Sequence, residues 1–182
     1  MENKIIISGF GGQGVLSAGM ILSYGALFAN KYPTFFPSYG AEQRGGTSNC
    51  TVVIDDEIVA SPVTQSPNII LCFNQPSVLK FESWVEKGGI LIYNSSLVNI
   101  PPKREDINIF KIEANDLAIN LGDIRFVNMI MLGALFGIKE IYEFQYLLKS
   151  IERFFKEKNK DRFIFPNQKA AEEGYNYFKN NR

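Results

Sequence analysis

At 182 residues the chain is long enough to bury a sizeable core and is expected to form a single domain over 1–182. Hydrophobic residues make up 46%, charged residues 21%, and the formal net charge is +0 with a pI near 6.4, which excludes the basic excess of a nucleic-acid or anionic-membrane surface. With no histidine and two cysteines, the chain cannot alone supply an imidazole zinc site, a Ser-His-Asp or Cys-His centre, or a four-thiolate iron–sulfur cluster.

No apolar run reaches the roughly 18 residues of a bilayer span, and the chain starts with a strand, leaving no room for a signal peptide. A cytoplasmic location is expected. Lys4-Ile5-Ile6-Ile7 is a short buried strand: β-branched, apolar and ended by glycines. Ser8-Gly9-Phe10-Gly11-Gly12-Gln13-Gly14 is a glycine turn, and Val15 to Phe28 carries a helical apolar face. Strand, turn and helix N-terminus together make an anion-sized cradle, with glycines admitting the backbone and free N–H groups pointing at a ligand. Gly9, Gly11 and Gly14 have the dinucleotide-fingerprint spacing, but no carboxylate follows in Ala29 to Phe35 to hold a ribose, which disfavours NAD. A turn that uses glycine for geometry alone remains open.

Tyr32-Pro33-Thr34-Phe35-Phe36-Pro37 is an extended aromatic segment in which the prolines forbid helix. Ser38-Tyr39-Gly40-Ala41-Glu42-Gln43-Arg44-Gly45-Gly46-Thr47-Ser48 is a shaped loop that presents Arg44 to an anion or partner. A solvated loop with an incidental Glu42–Arg44 pair is the plainer alternative. Asn49 to Ile54 and Glu57 to Ala60 are expected to form a hairpin across Asp55-Asp56. Asn68 to Asn74 is a buried parallel strand. Gln75-Pro76-Ser77 opens a helix to about Glu86, capped by Asn74 or Ser77, and Ile90 to Asn94 is another buried strand. Cys50 and Cys72 lie in apolar strands as reduced thiols.

Ile107 to Ile112 is a further strand, and helices are expected over Asn115–Leu121, Phe126–Phe136, Glu143–Lys158 and Asn167–Phe178. Asn128 is a polar residue in an apolar segment, and Gly133 and Gly137 permit close packing. Lys156, Lys158 and Lys160 suit a helix C-terminal dipole better than a ligand. The alternation implies an α/β fold: a three-layer α/β/α, Rossmann-like, mostly parallel mixed sheet with helices on both faces.

Gly9-Phe10-Gly11-Gly12-Gln13-Gly14, Ser38 to Thr47, Ser61-Pro62, Asn74-Gln75-Pro76, Asn128 with Leu132-Gly133, and Asn167 with Ala170-Ala171 together resemble the gamma subunits of 2-oxoacid:ferredoxin oxidoreductases. The Ser-Tyr-Gly-x-Glu-x-Arg-Gly-Gly form is most similar to the 2-oxoglutarate branch, with the branched-chain 2-oxoacid (2-oxoisovalerate) branch next. Asn68 departs from the family pattern, which has Asp there.

The resemblance implies a multi-subunit enzyme that oxidatively decarboxylates a 2-oxoacid to acyl-CoA, carbon dioxide and reduced ferredoxin. Thiamine diphosphate, magnesium and iron–sulfur clusters would belong to thiamine-binding alpha and beta subunits and a ferredoxin-like subunit, and this chain would shape the coenzyme A side. The site residues it implies are Gly9, Gly11, Gly12, Gln13 and Gly14 as backbone cradle, with Ser38, Tyr39, Glu42, Arg44, Gly45, Gly46 and Thr47 as the second loop. No catalytic or metal-ligating residue is implied, since Gly122-Asp123-Ile124 is only a fragment of the magnesium-diphosphate motif. Two other readings stay open: a free-standing nucleotide-binding module and a structural spacer. A homodimer is a further state open to the chain expressed alone.

Overall fold

The computed structural model describes residues 2–39 and 47–180. The described residues form six strands, β1 (Asn3–Phe10), β2 (Tyr32–Tyr39), β3 (Thr47–Asp55), β4 (Ile69–Cys72), β5 (Ile90–Asn94) and β6 (Asn108–Ile112). Six α-helices accompany them: α1 (Val15–Phe28), α2 (Gln75–Phe81), α3 (Ala114–Asn120), α4 (Val127–Ile138), α5 (Phe144–Lys156) and α6 (Ile164–Lys179). One sheet holds all six strands in the order β2-β3-β1-β4-β5-β6. β1, β4, β5 and β6 are parallel neighbours, whereas β3 runs antiparallel to both β1 and β2. The mostly parallel mixed sheet anticipated from the alternation is therefore present.

The two faces are covered unequally. Ile5 and Ile7 point into a large core with α1, α3, α4, α5 and α6. Ile6 points the other way, toward Val78 and Phe81 of α2. α4 is apolar apart from Asn128 and buried along its whole length, as a helix enclosed on all sides must be. Its glycines explain how: a Cβ on Gly133 would strike the Ala171 carbonyl of α6, and one on Gly137 would meet Tyr175 O at 2.6 Å. Cys50 and Cys72 are free thiols on opposite faces of the sheet, and burial pushes the Cys50 thiol up to about 12 and Cys72 higher still.

The extended aromatic segment, Tyr32–Tyr39, forms a paired edge strand, and its prolines are tolerated because an edge leaves half its N–H groups unused. Ser38 and Tyr39, with Thr47 and Ser48, consequently belong to strands and not to the loop. The hairpin of Glu57 to Ala60 with β3 does not form. β3 is already paired along both edges, so no ladder is free, and Ile58 is left 82% exposed. The helix after Asn74 is also shorter, closing in a 3-10 turn over Glu82–Trp84.

Candidate functional site

From β1 the chain passes through α1 to one side of the sheet, and from β4 through α2 to the other, with α1 and α2 on opposite faces. β1 and β4 are neighbours, so their carboxyl ends frame the crevice where ligands bind in open α/β sheets. The glycine turn occupies that position.

A chain of side-chain hydrogen bonds fixes the turn. Gln13 Oε1 accepts from the Phe10 N–H at 2.6 Å and from Asn74 Nδ2 at 3.0 Å. Asn74 caps α2, its Oδ1 accepting from Ser77 N–H at 3.0 Å and Ser77 Oγ at 2.8 Å. Ser77 Oγ in turn shares a hydrogen bond of 2.9 Å with Ser8 Oγ of β1. The turn is thus tied across the crevice to the start of α2. On its far side, Asn128 Nδ2 donates to Gly14 O at 3.2 Å from the first turn of α4.

The four glycines differ in what they do. Gly9 has no room for a Cβ, which would lie 2.6 Å from Gln13 Oε1 and 3.1 Å from Phe73 Cβ. Gly14 takes φ +75 and would drive a Cβ into Asn128. Gly12 takes φ +97 with open space around it. At Gly11, φ is not positive and a Cβ would meet nothing within 4 Å, so nothing in the described chain requires glycine there.

The second motif converges on the same end of the sheet. Thr47 stands opposite Phe10 in the β1–β3 register, and Ser38 opposite Asn49 in β2–β3. Tyr39 is described in backbone only, where it pairs with Ser48. Glu42, Arg44, Gly45 and Gly46 lie outside the described residues.

Sequence reasoning flagged Asn74 and Asn128 but not their link to the turn. It offered Ser77 as an alternative cap, where the structure has Asn74, and gave Ser8 no side-chain role; the bond between the two depends on the β1–β4 register. Asn68 ties β4 to the start of β1, its Oδ1 accepting from Lys4 N–H and its Nδ2 donating to Glu2 O, both at 2.9 Å. An aspartate could accept but not donate. Asp123 is occupied by Arg125, whose Nε lies 2.9 and 2.8 Å from its two oxygens and whose hydrogen bonds hold its carboxyl below the usual range. Among the described residues no group of three or more His, Cys, Asp or Glu is placed to hold a metal ion. These residues do not fit a magnesium-diphosphate or cluster site.

The family described as pyruvate ferredoxin/flavodoxin oxidoreductase matches residues 4–177. The 2-oxoglutarate synthase subunit KorC of Methanocaldococcus jannaschii is 36% identical over 154 residues, covering 83% of this chain and 82% of that protein. The ketoisovalerate oxidoreductase subunit VorA of Methanothermobacter marburgensis is 39% identical over 137 residues. That match takes in 75% of this chain but only 28% of VorA, so the chain spans about a quarter of that relative. Among solved structures, the keto/oxoacid ferredoxin oxidoreductase gamma subunit of Geobacter sulfurreducens superposes with a TM-score of 0.83 at 25% identity, covering 97% of this chain and 98% of its own.

Proposed function

The chain belongs to the pyruvate ferredoxin/flavodoxin oxidoreductase family, and on that premise we propose that it is the gamma-type subunit of a multi-subunit 2-oxoacid:ferredoxin oxidoreductase. The assembled enzyme would convert 2-oxoglutarate, or next 2-oxoisovalerate, with coenzyme A to the acyl-CoA, carbon dioxide and reduced ferredoxin. Thiamine diphosphate, magnesium and iron–sulfur clusters reside in the alpha, beta and ferredoxin-like partners, which supply the carbon–carbon cleavage and electron transfer. This chain brings no acid, base or nucleophile. Its glycine turn offers backbone amides and the N-terminus of α1 to an anionic part of coenzyme A or to a partner group at the coenzyme A side. Gly9, Gln13 and Gly14 set the shape of the turn, and Gly11 and Gly12 provide the approach. Ser38, Tyr39, Glu42, Gly45, Gly46 and Thr47 frame the second loop, and Arg44 supplies a two-pronged anion contact that a lysine cannot copy.

The observation that carries this reading is Gly11. A glycine whose φ is not positive, with no described atom within 4 Å of an added Cβ, is required by nothing among the described residues, at the crevice where this fold class binds ligands. The test is reconstitution with the thiamine-binding and ferredoxin-like subunits. The chain alone is expected to reduce no viologen dye with 2-oxoglutarate and coenzyme A, whereas the complex does, with a higher kcat/KM for 2-oxoglutarate than for 2-oxoisovalerate. Turnover by the isolated chain, or full turnover without it, defeats the proposal. Tight nucleotide binding by the monomeric chain would instead favour a free-standing module, which the family relationship speaks against.

A further inference from the structure

α5 ends at Lys156, two residues short of the expected Lys158, and Lys158 and Lys160 follow its cap residue Glu157. They turn over a cavity of about 240 Å³ between the N-terminal halves of α1 and α4, the end of α5 and the start of α6. Phe126, Phe154, Phe155 and Phe163 line it, with Met129 and Ile21. At the same cavity stand three cationic side chains, Arg125, Lys158 and Lys160, against one carboxylate, Asp123. The Lys158 ammonium sits 4.0 Å from the Phe154 ring centre, and the Arg125 guanidinium 5.7 Å from that of Phe163. Rings and cations are therefore interleaved around one opening.

Asn128 lines the cavity too, 8% exposed, and its Oδ1 has no hydrogen-bond partner among the described residues. The orientation of the amide is fixed by chemistry: Nδ2 faces the Gly14 carbonyl, which an oxygen could not do favourably. That oxygen is itself sealed from solvent, so Asn128 serves the cavity as wall, held by its hydrogen bond to Gly14 O. Asp123 is engaged by Arg125, and Asn167 Nδ2 donates to Phe163 O.

We propose that this cavity is a binding site for a small organic anion: a ring-sized apolar body carrying one phosphate or carboxylate. The aromatic side chains take the body, and Lys158 and Lys160 take the charge at the opening. Its size sets the class. Sites for drug-sized ligands run from about 300 to 1,000 Å³, so a whole dinucleotide or an intact coenzyme A exceeds the space. The site adjoins the glycine turn through Asn128 but uses other residues, and it does not depend on the function proposed above.

Titration calorimetry on the full 182-residue chain tests this with 4-aminophenyl phosphate, 4-aminophenylacetate and inorganic phosphate. At least one aryl anion is expected to bind ten-fold or more tightly than inorganic phosphate. Lys158→Ala/Lys160→Ala, on the exposed rim, is expected to weaken it at least five-fold with the melting temperature unchanged. Ser17→Leu, which narrows the cavity from α1, is expected to weaken the aryl compounds and leave inorganic phosphate alone. The tighter of the two aryl compounds identifies the anionic group. Equal binding of inorganic phosphate and the aryl compounds would reduce the site to rim charge and overturn the proposal, as would no binding at millimolar concentrations or variants without effect.

Discussion

Replacing Gly11 with alanine separates a glycine kept for the fold from one kept for an outside contact. Among the described residues the added methyl meets nothing within 4 Å, and the backbone φ is not positive. Gly→Ala at such a position stabilises by about 0.4–1 kcal/mol, because the unfolded chain loses freedom. For a chain of this length that raises Tm by up to about 2–4 °C. In the assembled enzyme the same methyl would stand in the crevice where a ligand or partner backbone approaches. An intruding methyl in a fitted contact costs about 1–3 kcal/mol. At about 1.36 kcal/mol per ten-fold, kcat/KM for coenzyme A is then expected to fall roughly 5- to 150-fold. Gly12→Ala is the internal control: φ +97 strains any side chain by about 1–2 kcal/mol, so it should lower Tm of the free chain. The assays are melting of the free chain and coenzyme A-dependent dye reduction by the complex at saturating 2-oxoacid. If Gly11→Ala destabilises the free chain and spares the complex, the glycine serves packing and the reasoning fails.

Asn74→Ala removes the cap of α2 and one support of Gln13, and is expected to cost about 1–2 kcal/mol by urea unfolding. An unchanged midpoint would remove Asn74 from the network. Gly133→Ala pushes a methyl into the backbone of α6, which cannot rotate away, and should cost at least about 1–3 kcal/mol; a neutral result would show that α4 and α6 pack less closely. Hydrogen bonds from Arg104, Arg125 and Arg153 hold Asp106, Asp123 and Glu157 below the usual carboxylate range. Their stabilisation is therefore present above the unfolded carboxylate pKa of about 4 and is lost as pH falls through the depressed folded values. Unfolding midpoints should fall below about pH 4, less steeply in high salt, and a loss as pH rises from about 5 to 8 would contradict this in a chain without histidine.

The parallel strands are legible in sequence because their signal is local: Ile5 to Ile7, Ile69 to Cys72 and Ile90 to Asn94 are unbroken apolar runs, as strands buried on both faces require. The β2–β3 edge is not legible in the same way. Whether Tyr32–Tyr39 pairs, and whether Glu57 to Ala60 finds a partner, depends on which ladders of β3 are already taken, and that is a tertiary fact. The site divides along the same line. Glycine positions and the Asn74 cap follow from local chemistry. The hydrogen bond between Ser8 and Ser77 spans 69 residues and that from Asn128 to Gly14 spans 114, so each waits on the sheet register or on helix packing.

That network also explains what the glycine turn could contribute to an assembled enzyme. Ser8, Gln13, Asn74 and Ser77 are neutral and their bonds across the crevice interlock. A satisfied polar network of this kind rigidifies what it holds. The turn can therefore keep its amides aimed at one place without reorganising when a ligand arrives, which is the condition under which fixed dipoles bind most effectively. Because none of the four side chains titrates near neutrality, the cradle keeps the same charge across the pH range in which proton-dependent chemistry would be run. Both sheet thiols are sealed in the two cores. Fixed geometry and constant charge are what the proposed coenzyme A-side role would ask of this turn.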